Sequence, residues 1–224
     1  MKFKNKELIL FDLDGTLIDS VPDLANAVNH TLKALDKDVF LQDTIREWVG
    51  NGAQTLVKRA LSGDVIIDKN IDDDLFKKAM KIFLDFYSKN LSKETVLYPN
   101  VKDTLLSLKS KGYKLAIITN KPYDFIKPIL ETFELIDIFE YYIGGDSLDL
   151  KKPDPLPLLH VCDKFNIEIS KALMVGDSKN DIIAANDANI ESIAVTYGYN
   201  YDEDIAIYNP TIVFNDFSRI DEVL

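Results

Sequence analysis

The chain has 224 residues, 46 % of them hydrophobic, which is enough for a sizeable core and too apolar for a disordered segment. Lys and Arg number 26 against 37 Asp and Glu, a formal net charge of −11, and this argues against nucleic acid or an anionic membrane as partner, since both attract basic patches. Cys162 is the only cysteine, so no internal disulfide is expected, and no apolar stretch approaches the roughly 18 residues of a membrane span; a cytosolic (cytoplasmic) location follows as the expectation.

The first element is the apolar run Leu8-Ile9-Leu10-Phe11, which reads as a buried strand and stops at Asp12-Leu13-Asp14-Gly15-Thr16-Leu17. Alternation places Asp12 and Asp14 on the same side of an extended backbone, and Gly15 lets the chain turn away. Two carboxylates that close repel unless a cation or a shared proton intervenes, so the pair asks for a hard, oxygen-loving ion, Mg²⁺. An ordinary strand-to-loop turn would use the same residue types.

From about residue 19 to 94 the pattern is helical. Val21, Leu24, Ala25, Val28 and Leu32 form one apolar stripe; Leu56, Val57, Ala60 and Leu61 form another. Phe76, Ala79, Met80, Phe83, Leu84 and Tyr87 form a third. A helical segment is thus expected to be inserted after the first strand, with junctions at Ile18–Ser20 and Leu97-Tyr98-Pro99.

Strand–helix alternation follows. Asn100 reads as the N-cap of a helix over Val101–Lys111 that Gly112 stops. Strands are expected at Leu115–Thr119, Tyr141–Ile143, Leu173–Val175, Ser192–Val195 and Thr211–Phe214. The fold class is therefore α/β, a doubly wound, Rossmann-like parallel sheet built from residues 1–18 and 95–224, with an all-helical insert over 19–94. His30 and His160 lie in helical patterns without partners at metal-ligand spacing, and Cys162 sits in an apolar helical run that reads as core.

Three later strand ends carry chemistry of one kind. Thr119-Asn120-Lys121-Pro122 ends a strand in a hydroxyl and an amide, with Pro122 where a helix would begin; this is either an anion site or plain capping. In Lys151-Lys152-Pro153-Asp154-Pro155 the prolines stiffen a loop that can hold an ammonium in a fixed direction. Met174-Val175-Gly176-Asp177-Ser178-Lys179-Asn180-Asp181 ends another strand in Asp177, with Asp181 four residues on. Ligands of doubly wound sheets bind beyond the carboxyl ends of the strands, and this inventory suits phosphoryl transfer through an aspartyl phosphate.

These signatures, in order from Phe11 to Asp181, resemble the haloacid dehalogenase superfamily of Mg²⁺-dependent phosphatases, with the helical insert resembling its cap domain. Asp19-Ser20-Val21-Pro22-Asp23-Leu24, Trp48-Val49-Gly50-Asn51-Gly52-Ala53 and Thr196-Tyr197-Gly198-Tyr199-Asn200 extend the resemblance to its phosphoglycolate-hydrolysing branch. The resemblance implies that Asp12 is the nucleophile and a Mg²⁺ ligand. It implies that Asp14 donates and retakes a proton while its carbonyl holds the metal, that Asp177 is the third protein ligand, and that Asp181 supports the metal from behind. Thr119 and Asn120 would hold phosphate oxygens, and Lys152, rather than Lys151, would stabilise nucleophile and phosphate. A two-carbon substrate offers few handles, so a lid must exclude water and recognise its carboxylate. Gly50-Asn51-Gly52 would present N–H groups to it, with Arg46, Lys58 and Arg59 as further candidates.

The implied activity is hydrolysis of 2-phosphoglycolate, a small phosphorylated metabolite, by a monomer or homodimer. Rival enzymes of the same kind would act on a sugar phosphate or pyrophosphate, or act as a phosphoglucomutase. From another class comes a receiver-like signalling module, which also forms an aspartyl phosphate; the large insert and the first-strand carboxylate pair speak against it. Trp48 reads equally as core of the insert, and Tyr197-Gly198-Tyr199 as a surface loop. Asn189 stands where relatives often carry glycine, and Asn tolerates the left-handed conformation.

Overall fold

β1 (Leu8–Phe11) runs through the middle of the protein with every residue buried, in a computed structural model that describes residues 2–224. The short β2 (Ile18–Asp19) leads into four helices, α1 (Val21–Ala34), α2 (Gln42–Arg46), α3 (Ala53–Ser62) and α4 (Asp73–Tyr87). The chain returns through β3 (Val96–Leu97) to α5 (Val101–Ser110), β4 (Lys114–Ile118), α6 (Ile126–Thr132), β5 (Tyr141–Ile143) and α7 (Leu156–Phe165). It then completes β6 (Ala172–Gly176), α8 (Lys179–Asp187), β7 (Glu191–Val195), β8 (Ile212–Phe214) and α9 (Ile220–Val223).

Six strands pair in the order β5-β4-β1-β6-β7-β8, all in parallel. Helices cover both faces, which is why the strands read as unbroken apolar runs rather than as alternating ones. Alternation survives in where each side chain goes. Ile9 and Phe11 join Ile117 and Val175 against Leu105 of α5 and Ile129 of α6. Leu8 and Leu10 join Ala116 and Met174 against Val161 of α7 and Ala184 of α8. Cys162 belongs to this second layer, and burial pushes its thiol up to about 11, which leaves it inert.

Chain order runs outward from β1 to β5, then crosses back to β6 and outward again, so the carboxyl ends of β4, β1 and β6 lie side by side at the topological switch. Strand bounds differ from the sequence reading by a residue or two. The antiparallel pair β2–β3, in which Ile18 faces Leu97, was not anticipated; two residues per strand are too few to leave a periodic signal. It joins the two expected junctions of the insert. Asp23 of α1 reinforces that join, accepting the N–H groups of Glu94 and Thr95, both at 3.0 Å, and the Thr95 hydroxyl at 2.6 Å.

Within the insert, α1 packs along α4, burying Leu24, Val28, Phe83 and Tyr87 in one continuous core with the sheet's first layer. Such side chains contribute roughly 1.5–3 kcal/mol each. Trp48 is core, edge-on to Phe40 with ring centres 4.9 Å apart, and His30 stacks on Phe86 at 4.1 Å. Asn100 occupies its N-cap position, but its side chain donates to Asp216 instead of capping. Gly112 and Asn189 both take positive φ, +88° and +56°, as their helix-ending positions require. Pro122 opens a 3₁₀ turn over Tyr123–Phe125 ahead of α6, so Thr119 and Asn120 do not sit directly at an α-helix N-terminus as expected. Among the described residues no helix is long and apolar enough to cross a membrane.

Candidate active site

Asp12 follows β1, and its N–H donates to Val175 O at 3.0 Å, continuing the pairing one residue past the strand. Gly15 then turns with φ +92°; a Cβ there would sit 2.1 Å from Asp177 Oδ2, so only glycine lets Asp177 approach this loop. Asp177, at the end of β6, is held on both oxygens. The Thr16 hydroxyl donates to Oδ1 and the Tyr199 N–H to Oδ2, each at 2.6 Å. Gly198 makes the second contact possible, since a Cβ there would lie 2.3 Å from Asp177 Oδ2 and 2.3 Å from the Gly15 carbonyl. The Tyr197–Tyr199 segment is therefore built into the site rather than being a surface loop, and Tyr199 is buried.

Lys152 is buried, with Nζ 2.6 Å from Asp181 Oδ1 and 3.0 Å from Asp12 Oδ1. Burial alone would disfavour its charge, but Asp12 and Asp181 more than offset this and hold the ammonium above its ordinary pKa. Asp181 also accepts the Ser178 N–H on Oδ2 at 3.0 Å and closes a capping box at the start of α8. Lys151 points elsewhere, donating to Asn51 O at 2.7 Å.

The carboxylates of Asp12, Asp177 and Asp181 each offer an oxygen within 4.8 Å of the others. Burial raises the Asp12 carboxyl to about 7 and the Asp177 carboxyl well above its usual range; neighbouring carboxylates add to both shifts. Asp12 Oδ1 is buried and, despite the nearby ammonium, accepts no directed hydrogen bond. A buried oxygen with only an ion-pair contact, among mutually repelling carboxylates, fits a small divalent cation with oxygen ligands. Both Asp181 oxygens are committed to Lys152 and Ser178, whereas each Asp177 oxygen accepts one hydrogen bond, from Thr16 or Tyr199, and faces no ammonium among the described residues.

The Asp14 carboxylate lies outside this cluster. Lys121 Nζ straddles its oxygens at 3.0 and 3.1 Å, the Ser20 hydroxyl donates to Oδ1 at 2.5 Å, and Lys121 also donates to the Tyr87 hydroxyl at 2.7 Å. Burial disfavours the Lys121 charge, but Asp14 outweighs it and holds the ammonium above its ordinary pKa. Burial pushes the Tyr87 hydroxyl up to about 12. Lys121, Ser20 and Tyr87 were not anticipated as site residues. Lys121 adjoins Asn120 in sequence, but nothing local marks it as facing Asp14.

Thr119 is buried at the end of β4 beside Asn120. The Asn120 amide is already spent, with Nδ2 donating to Gly50 O at 3.1 Å and Lys152 O at 2.9 Å. Its side chain thus joins the insert to the Lys152 loop instead of pointing donors at a phosphate.

The loop Gly50–Gly52 closes over these strand ends, and its carbonyls and Asn51 face the core. Asn180 Nδ2 donates to Gly50 O at 3.2 Å, Tyr201 OH donates to Asn51 Oδ1 at 2.7 Å, and Asn51 Nδ2 reaches Asn180 Oδ1 at 3.4 Å. Gly50, Gly52 and Ala53 line a cavity of about 40 Å³ between insert and core, along with Asp12, Asp14 and Thr119. The candidate cations of the insert lie elsewhere. Arg46 pairs with Asp19 at 3.2 Å and stacks on Tyr199, Lys58 lies over Phe76, and Arg59 donates to Trp48 O.

A family model described as haloacid dehalogenase-like hydrolase matches residues 9–195. The chain is 55 % identical to a phosphoglycolate phosphatase of Colwellia psychrerythraea over 98 % of its own length and 97 % of the relative's. It is 50 % identical to a phosphoglycolate phosphatase of Psychrobacter arcticus, over 98 % and 96 % of the two chains. The crystal structure of a predicted phosphoglycolate phosphatase from Haemophilus somnus superimposes with a TM-score of 0.92 at 40 % identity, covering 98 % of each chain.

Proposed function

The chain belongs to the haloacid dehalogenase-like hydrolases, and from that premise we propose that it is a cytoplasmic phosphatase that uses Mg²⁺ to hydrolyse 2-phosphoglycolate to glycolate and phosphate. The observation that carries the chemistry is the convergence of Asp12, Thr119 and Asp177 at neighbouring strand ends with Lys152 from the loop before α7, and with Asp14 lining the same cavity as Asp12 and Thr119. The relatives at 50 % identity and above carry that same substrate in their names.

In this reading the helical insert, residues 19–94, is a cap that seals the site from water. Asp12 attacks phosphorus in line, and the bond to the leaving alkoxide breaks as Asp14 gives it a proton. Asp14 then takes a proton from water as that water attacks the aspartyl phosphate, releasing inorganic phosphate and regenerating Asp12. Lys152, fixed by Asp181, balances charge on the nucleophile and on the phosphoryl oxygens, and the Thr119 hydroxyl donates to those oxygens. Asp12, the Asp14 carbonyl and Asp177 would hold Mg²⁺, supported by Asp181. When bound, the ion supplies positive charge that neutralises the carboxylates and the phosphoryl group.

The test is phosphate release from 2-phosphoglycolate with and without Mg²⁺, beside glucose 6-phosphate, glucose 1-phosphate and pyrophosphate. Steady, Mg²⁺-dependent release with phosphoglycolate well ahead is the expected result. Equal rates across the panel would refute the substrate assignment, and a single stoichiometric phosphorylation without turnover would refute hydrolysis.

A further inference from the structure

We propose that Lys121, oriented by Tyr87, is the residue that reads the carboxylate of the substrate and so sets its specificity. This rests on the substrate reading above.

The cavity above Asp12 and Asp14 is walled by Leu24, Val49 and Phe83 of the cap and by Phe125 of the core. A carboxylate pressed on that wall without a cation would be strongly disfavoured. Among the described residues that line it, Lys121 is the one cation. Arg46, Lys58 and Arg59 are turned away to Asp19, Phe76 and Trp48, and Lys152 is committed to Asp12 and Asp181.

The placement of Lys121 also fits the length of the substrate. Asp14 serves the oxygen that leaves phosphorus, and in glycolate the carboxylate is one carbon beyond that oxygen. Lys121 Nζ is in direct contact with Asp14, at 3.0 and 3.1 Å, on the side facing α4 of the cap. Because the ammonium straddles two oxygens of one carboxylate, settling on a single oxygen frees a donor for the substrate without breaking the pair. Tyr87 fixes the third direction through its hydroxyl at 2.7 Å, while its ring is locked against Phe83 and Phe125. A substrate that lacks the carboxylate leaves this buried ammonium without its second anion, which is how a site built around a polar group rejects an apolar analogue.

The experiment compares kcat/KM for 2-phosphoglycolate and ethyl phosphate, which has a methyl group in place of the carboxylate. It uses the full-length wild type, Lys121→Met and Tyr87→Phe, each checked for folding by circular dichroism. The wild type is expected to prefer phosphoglycolate by about 10²-fold or more. Lys121→Met is expected to shrink that preference at least about thirtyfold, mostly through KM for phosphoglycolate, and Tyr87→Phe to shrink it by roughly three- to tenfold. A lysine that only held Asp14 in place would lower both substrates together. A folded Lys121→Met that keeps the wild-type preference, or loses both substrates equally, therefore overturns the assignment while leaving the substrate reading intact. If Lys121→Met does not fold, Tyr87→Phe decides, and an unchanged preference there overturns it. A wild type that shows no preference sinks the substrate reading and this assignment together.

Discussion

Gly198→Ala perturbs the site through a residue that touches no substrate. Its added methyl would lie 2.3 Å from Asp177 Oδ2 and 2.3 Å from the Gly15 carbonyl oxygen, where ordinary contact begins at 3.4 Å. Something must move by about 1 Å, and one of the two obstacles is backbone, which yields less readily than a side chain. Overpacking of this kind costs about 1–3 kcal/mol, or a fall in Tm of roughly 2–12 °C for a chain of this size. The effect on chemistry is larger than the effect on folding, because displacing a reacting group by about 1 Å costs on the order of 10²-fold. Asp177 is one of the carboxylates proposed to hold Mg²⁺, so the concentration of Mg²⁺ giving half-maximal activity should rise about tenfold or more. The assay is phosphate release across a Mg²⁺ titration, with calorimetry on the same samples. Gly112→Ala is the matched control. It forces a residue into φ +88° with nothing within 4 Å of the new methyl, so it should lower Tm without moving Mg²⁺ activation. A folded Gly198→Ala whose activation curve superimposes on that of the wild type would refute the reasoning.

Three further outcomes follow from the same geometry. In the metal-free protein burial holds the Asp12 carboxyl at about 7, so below that pH a proton must leave before a cation binds, and above it none need leave. Mg²⁺ affinity should therefore fall as pH drops through about 7, by up to about tenfold per pH unit, with proton release seen by calorimetry in buffers of different ionisation enthalpy; equal affinity at about pH 6 and pH 8 contradicts this. Lys152→Met strips the fully buried Asp181 of its ammonium, which should cost about 3–5 kcal/mol in denaturant unfolding and about 10²–10³-fold in kcat; a variant as stable as the wild type counts against the buried pair. Asn51→Ala removes the hydrogen bonds to Tyr201 and Asn180 that clasp the cap to the core, so KM in steady-state assays should rise about tenfold with a smaller change in kcat, and an unaltered KM argues that the clasp does not govern closure.

The sheet was legible because each buried strand carries its own evidence: an unbroken apolar run bounded by polar residues, as in Leu8–Phe11 before Asp12. The helical insert was legible because α1 and α4 each present a stripe long enough to repeat. What escaped was too short to repeat. β2 and β3 are two residues each, and the 3₁₀ turn over Tyr123–Phe125 spans three. Propensity cannot distinguish such pieces from loop, and only the pairing of Ile18 with Leu97, far apart in sequence, makes them strands.

The site divides along the same physical line. Asp12, Thr119 and Asp177 stand at strand ends, where the abrupt change from apolar to polar is itself a local signal; Lys152 is marked by the prolines of its loop and Asp181 by its place in the first turn of α8. Tyr199, Lys121 and Tyr87 have no such signal. Tyr199 is placed by Asp177 and Asp19, 22 and 180 positions away, Lys121 by Asp14 across 107 positions, and Tyr87 by Lys121 across 34. Gly50-Asn51-Gly52 shows the limit most sharply. Glycines flanking an asparagine promise exposed peptide groups, but they do not say which end of each peptide faces inward. The carbonyls of Gly50 and Asn51 turn to donors from Asn120, Asn180 and Lys151, while Gly52 and Ala53 begin α3 at the cavity wall without a side-chain cap. One short loop thus clasps the core through its acceptors and leaves its helix N-terminus at the substrate space. That division of labour is set by the strand ends it meets, and not by its own three residues.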